Sequence, residues 1–276
     1  MDYRKEDLIC YDILKRSTQI VEDFMKTYSI YHRREPTDFL EYMDALIYVE
    51  SLVYVVDKSL EDPTKKSILA NGISITDEEF EEFIKNSKAF ASMVYFLKDN
   101  NFYDDKIKND IKNLLHYWKM EKFLCDESNW KIGGQISEDL LQKAMLFRSG
   151  DYRILNRMVH KIRNEEYHEP HFKFLECHEL FVEILDDLLD YKEDALKKTF
   201  NIYIMYEKLF GTKARFMLMK YISNKEKEYN RLKYECLDDD LAKKQDQKMK
   251  ERLEMVVNYL PVEFRGYFKN SRWYRV

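Results

Sequence analysis

Six glycines and four prolines are spread through 276 residues, and this scarcity of chain breakers limits the fold more than any motif does. Glycine and proline cost a helix interior about 1 and 3 kcal/mol relative to alanine. Long stretches of this chain therefore have no local reason to stop being helical. Apolar residues recur at helical spacing almost everywhere. Ile9, Ile13, Leu14, Ile20, Val21, Phe24 and Met25 predict a first helix near residues 5–28. A second is predicted from an N-cap at Thr37 to Glu61, stopped by Pro63. Its middle, residues 45–56, is apolar nearly all round, the pattern of a central helix. Thr76 and Glu79 have capping-box spacing and open a helix that runs to about Asp99. Further helices are expected near 104–125, 137–149, 151–166, 172–191, 193–210, 212–235 and 238–259, with a clear loop at Gly133-Gly134. No flexible linker or internal repeat divides the chain. The expected fold class is all-α, a single domain over residues 1–276 built as a bundle of about ten helices.

The charge balance bounds the function. A net charge of −5 gives no general attraction to nucleic acid. Four cysteines, Cys10, Cys125, Cys177 and Cys236, have no metal-like spacing and read as reduced and buried thiols. The first residues, with Asp2, Glu6 and Asp7 among them, lack the apolar core of a signal peptide. No stretch approaches the roughly 20 apolar residues of a membrane-spanning helix. A cytoplasmic protein without membrane insertion is the expectation.

The densest chemistry lies in Asp186-Asp187-Leu188-Leu189-Asp190-Tyr191-Lys192-Glu193-Asp194. Asp186, Asp190 and Asp194 are spaced i, i+4, i+8 and drift only about 80° around a helix. Like charges at i, i+4 destabilise a helix by roughly 0.2–0.5 kcal/mol per pair. The three carboxylates are therefore either left in water or given a cation. The apolar flank of Leu180, Phe181, Ile184, Leu185, Leu188 and Leu189 makes the helix core-packed as well as acidic, and buried carboxylates need partners. Mg²⁺ is one such partner, since it takes carboxylate and phosphate oxygens.

These nine residues resemble the nine-residue metal motif of class I terpene synthases. The resemblance places Mg²⁺ on Asp186, Asp190 and Asp194 and puts Asn201 where that family tends to carry an asparagine. The family's other metal motif finds its counterpart in Asp57 and Glu61 at a helix end, with Lys58 where a second aspartate stands in the family. Diphosphate contacts are implied for Arg153 and Arg157, with Arg148 nearby, and for Arg272, Tyr274 and Arg275 near the C-terminus. The resemblance implies an isoprenoid-synthase-like bundle around a central apolar cavity. It also implies a Mg²⁺-dependent cyclase that ionises farnesyl or geranylgeranyl diphosphate and releases diphosphate. Tyr48, Tyr54, Tyr95, Phe96, Tyr203 and Tyr206 are candidates for an aromatic cavity wall. In this leading reading nucleic acid is not a partner, and the enzyme acts alone or as a homodimer.

A second pattern competes. Arg163-Asn164-Glu165-Glu166-Tyr167-His168 has the form R-N-x-x-x-H and resembles the signature of HEPN ribonuclease domains, small helical bundles of toxin and defence systems. That resemblance implies an arginine and a histidine acting on RNA phosphate at a dimer interface. A histidine suits acid/base work because the imidazole titrates near neutrality. His160, His168, His171 and His178 fall in the same region without the i, i+4 spacing of HExxH. A non-enzymatic helical interaction protein is the third reading.

Overall fold

The structure is a computed structural model, and residues 9–61, 73–130 and 136–271 are described. The predicted loop at Gly133-Gly134, Pro63, and Arg272, Tyr274 and Arg275 lie outside those residues. Among the described residues there are only helices and connections: α1 (Tyr11–Tyr28), α2 (Met43–Glu61), α3 (Asp77–Asn86), α4 (Lys88–Asp99), α5 (Asp105–Cys125), α6 (Glu138–Arg148), α7 (Gly150–Ile162), α8 (Glu169–Lys197), α9 (Ile202–Phe210), α10 (Ala214–Cys236), α11 (Asp239–Val256) and α12 (Val262–Asn270). The all-α class expected from the scarcity of breakers is the class observed.

The differences from the expected boundaries have local causes. Thr37 is not a helix N-cap: Pro36 opens a 3₁₀ segment capped by Glu35, whose box partner is Asp38, and α2 begins only at Met43. The helix expected through Asp99 is cut at Ser87, whose side chain accepts the amide of Phe90 and restarts the chain as α4. The capping box of Thr76 and Glu79 forms as expected. α8 does not stop near Tyr191 but continues to Lys197 and ends on Lys198 in a left-handed conformation, φ 59°. The whole acidic stretch therefore rides on one helix.

The chain divides into two compact units. The first comprises residues to Met120 with Gly150–Tyr167, and the second Glu121–Ser149 with His168 onward. The divisions fall inside α5, at the start of α7 and in the short connection before α8, none of them rich in glycine, serine or proline, which is why composition carries no sign of them. In the first unit α2 is central, as its apolar circumference predicts. It packs against α1, α4 and α7 and buries Leu46, Val49, Leu52, Val53 and Val56. α7 starts hard against α5: a Cβ on Gly150 would meet the Leu114 Cβ at 3.1 Å, a tight contact that a side chain here could make only if α5 gave by a few tenths of an ångström. In the second unit α8, α9 and α10 pack on one another, α6 lies on α8 and α9, and α10 also contacts α11 and α12. No helix among the described residues is long and apolar enough to cross a membrane.

The cysteines depart from expectation in one respect. All four are free, but Cys10 is exposed, Cys125 and Cys236 are half-buried, and only Cys177 is buried. Cys10 is the N-cap residue of α1, ahead of the first helical turn. Burial pushes the thiols of Cys125 and Cys177 up to about 12, so neither is a ready nucleophile.

Candidate functional site

The acidic stretch of α8 has a partner for nearly every carboxylate, and most partners are side chains of the protein itself. Asp187, 1% exposed, is the aspartate that faces the interior. Its Oδ1 accepts Arg148 Nη1 at 2.5 Å and its Oδ2 accepts the Ile202 amide at 2.7 Å. Arg148 also holds Glu183 at 2.9 Å and stacks over Phe200 at 5.8 Å. Burial raises the Asp187 carboxyl to about 6, against the lowering effects of Arg148 and the Ile202 amide. Asp186, half-exposed, accepts Arg252 Nη2 at 3.1 Å. Asp194 accepts Thr199 Oγ1 at 3.0 Å and Asn201 Nδ2 at 2.9 Å.

Asn201, fully buried, also donates to the Asp187 carbonyl and caps α9 by accepting the amides of Tyr203 and Ile204. It serves as a helix cap and a tie between α8 and α9. Asp190 is exposed, and its carboxyl is raised by partial desolvation and by its neighbours Asp194 and Glu193. Among the described residues no three His, Cys, Asp or Glu side chains gather as a metal-holding group.

The other residues of the diphosphate resemblance lie as follows. Asp57, near the end of α2, accepts the Trp118 indole N–H at 2.8 Å. Glu61 is the last residue of α2, and Lys58 lies over the Tyr54 ring at 5.5 Å. Arg153 and Arg157 are both buried on α7. Arg157 Nε donates to Asp110 at 2.6 Å, and its guanidinium stacks on Tyr167 at 4.8 Å. Of the candidate wall aromatics, Tyr95 is 61% exposed and Tyr206 is fully buried with its hydroxyl donating to Glu138.

The R-N-x-x-x-H pattern occupies the connection between α7 and α8. The Arg163, Asn164 and Glu165 amides donate back to the carbonyls of Val159, Lys161 and His160, closing the helix. Asn164 takes the left-handed conformation, φ 53°, that commonly ends a helix. Tyr167 then anchors the loop: its hydroxyl donates to Asp104 Oδ2 at 2.8 Å, and Asp104 also pairs with Lys161 at 2.7 Å. Arg163 has a side chain 11% exposed, pairs with Glu165 and donates through Nη1 to the His32 carbonyl at 3.4 Å. His32 is itself fixed, with Nε2 3.1 Å from Asn156 Oδ1 and its ring 4.9 Å from that of His160.

Asn164, Glu165, Glu166 and Tyr167 line a cleft of about 940 Å³, together with Asn101, Lys106 and Lys161 among others. In the second unit, exposed His168 is the N-cap of the 29-residue α8, makes no side-chain cap bond, and has its ring 4.1 Å from that of His171. A separate cleft of about 700 Å³ lies between α10 and α12 and includes none of the α8 carboxylates.

No protein-family model, curated protein or solved structure matches this chain. The residues themselves must carry the functional argument.

Proposed function

We propose that this protein is an RNA-cleaving enzyme of the HEPN type, with Arg163 and His168 as its working residues. The observation that carries the reading is the setting of the motif. It lies in a loop and not inside a helix: in the first unit Asn164, Glu165, Glu166 and Tyr167 line a cleft of about 940 Å³, and in the second unit His168 is exposed at the start of the long helix α8. A helix N-terminus favours a phosphate through its free amides and its dipole. His168 takes the proton from a ribose 2′-hydroxyl. The 2′-oxygen bonds to phosphorus, the bond to the 5′-oxygen breaks, and that oxygen leaves with a proton from solvent. Arg163 offsets the charge on the phosphorane, a task for which the planar guanidinium fork suits. With a net charge of −5, affinity for RNA rests on these local donors.

The chemistry consumes no metal-bound group, so single-stranded RNA incubated with the protein in EDTA is expected to yield fragments with 2′,3′-cyclic phosphate and 5′-hydroxyl ends. Intact RNA, both in EDTA and with divalent cations, would sink the proposal.

The prenyl diphosphate reading stays as an alternative because one observation favours it. The Asp190 carboxyl is raised partly by repulsion from Asp194 and Glu193, which is the charge imbalance a cation relieves. The resemblance would place Mg²⁺ on Asp186, Asp190 and Asp194 to stabilise a departing diphosphate, but among the described residues these side chains do not gather around one point. Arg252 on Asp186 and Asn201 on Asp194 compete for the same oxygens. If the metal binds, millimolar Mg²⁺ raises the melting temperature of the wild type and not of Asp190→Asn, as ligand linkage requires. Equal melting curves with and without Mg²⁺, together with no product from farnesyl or geranylgeranyl diphosphate, remove this alternative.

A further inference from the structure

The arginine of the motif is already holding an anion. Arg163 is largely covered, its Nη1 donates to the His32 carbonyl, and its Nη2 meets the Glu165 carboxylate in a close ion pair. That carboxylate also lies 4.0 Å from His160 Nδ1. Carboxylate and phosphate are the two anions whose paired oxygens match the guanidinium fork, and they use the same donor edge. The arginine's carbonyl contact and the buried His32–Asn156 bond hold the arginine end of the pair. The carboxylate end is different: Glu165 sits outside any helix, follows left-handed Asn164, and has a side chain 40% exposed on the wall of the cleft. One partner is fixed and the other can rotate into water.

Resting on the RNA reading above, we infer that Glu165 is a resident stand-in for the RNA phosphate at Arg163, and that substrate binds by displacing it into the cleft. Glu165 then sets affinity: a phosphodiester must replace an ion pair already made, and the displaced carboxylate stays near as a like charge. Removing the charge at 165 frees the fork and the repulsion together. Removing a charge at Glu82, exposed on α3 and outside the cleft, frees neither. A carboxylate whose task was to aim Arg163 would behave in the opposite way, since its loss would leave the arginine misplaced and binding weaker.

The test uses a single-stranded oligoribonucleotide 2′-O-methylated throughout, which binds but has no hydroxyl to attack phosphorus. Binding is read by fluorescence anisotropy in EDTA. Glu165→Gln is expected to bind roughly threefold to tenfold tighter than wild type, the range for freeing one partly exposed charged partner. Glu82→Gln, away from the cleft, is expected to stay within about twofold, given the small worth of exposed charges. The gain vanishes when Arg163→Ala is added to Glu165→Gln. Glu165→Ser, with no amide to re-form the contact, should repeat the gain, and melting curves verify that each variant is folded. Equal or weaker binding by both position-165 variants overturns the inference while wild-type cleavage of unmodified RNA leaves the RNA reading standing. If wild type and every variant neither bind nor cleave RNA, the RNA reading fails and the inference falls with it.

Discussion

His168→Ala is expected to slow RNA cleavage by about 10²- to 10⁴-fold, the range for losing a positioned general acid or base. The change should leave the fold in place. His168 is exposed and its side chain makes no cap hydrogen bond, so truncation removes no helix cap and opens no cavity. Substitutions at such surface positions usually alter stability by less than about 0.5 kcal/mol. Single-turnover cleavage with enzyme in excess, beside a thermal melt of the same sample, separates the two effects. Arg163→Ala is a poorer probe. Arg163 braces the loop through Glu165 and the His32 carbonyl, so a lost rate there mixes catalysis with misplacement. A His168→Ala protein that melts like wild type and keeps more than a tenth of its rate would take the histidine out of the chemistry.

How far the sequence foretold this molecule depends on the range of the interaction concerned. Helix content, the central role of α2 and the Thr76 cap follow from local pattern and were legible. The break at Ser87 was harder, because one serine able to accept an amide looks like any other polar residue on a helix. So was the end of α8, where lysine and not glycine takes the left-handed position. The acidic stretch shows the limit most sharply. Its spacing puts Asp186, Asp190 and Asp194 on one helix, but the three are met differently: Asp186 pairs with Arg252, 66 residues further on, Asp190 is exposed, and Asp194 accepts from neutral Thr199 and Asn201. Asp187 takes Arg148, 39 residues back. Pairings at that distance leave no periodic trace. Asp187 falls outside the i, i+4, i+8 spacing, yet it is the aspartate of the stretch whose burial calls most strongly for a partner. In the same way the R-N-x-x-x-H pattern was visible, whereas its support by His32 and Asn156 came only with the fold.

The stability of the second unit is expected to turn on Asp187 in a way that separates its shape from its charge. Asp187→Ala removes the acceptor of the Ile202 amide and a partner of Arg148 inside a packed helix contact. Leaving a buried donor unmet and a cavity behind costs about 3 kcal/mol. Asp187→Asn keeps the volume and one acceptor, but its amide nitrogen faces the second donor, so it loses one hydrogen bond as well as the charge. The carboxyl is raised to about 6 in the folded protein, against roughly 3.9 in an unfolded chain. Between those two values the folded state binds more protons than the unfolded state, so this group's contribution falls as pH rises through the window and levels off above it. Relative to wild type, both variants lack the titrating carboxyl and should therefore gain about 2–3 kcal/mol between pH 4 and pH 7, with the alanine variant below the asparagine variant at both because of its cavity. Taking the difference between variants cancels carboxylates such as Glu79 and Asp104, whose lowered values give the opposite slope. Urea denaturation of the three proteins at both pH values measures it. An asparagine variant that instead loses ground as pH rises would mean the Arg148 pair outweighs desolvation, and that the charge of Asp187 stabilises the fold.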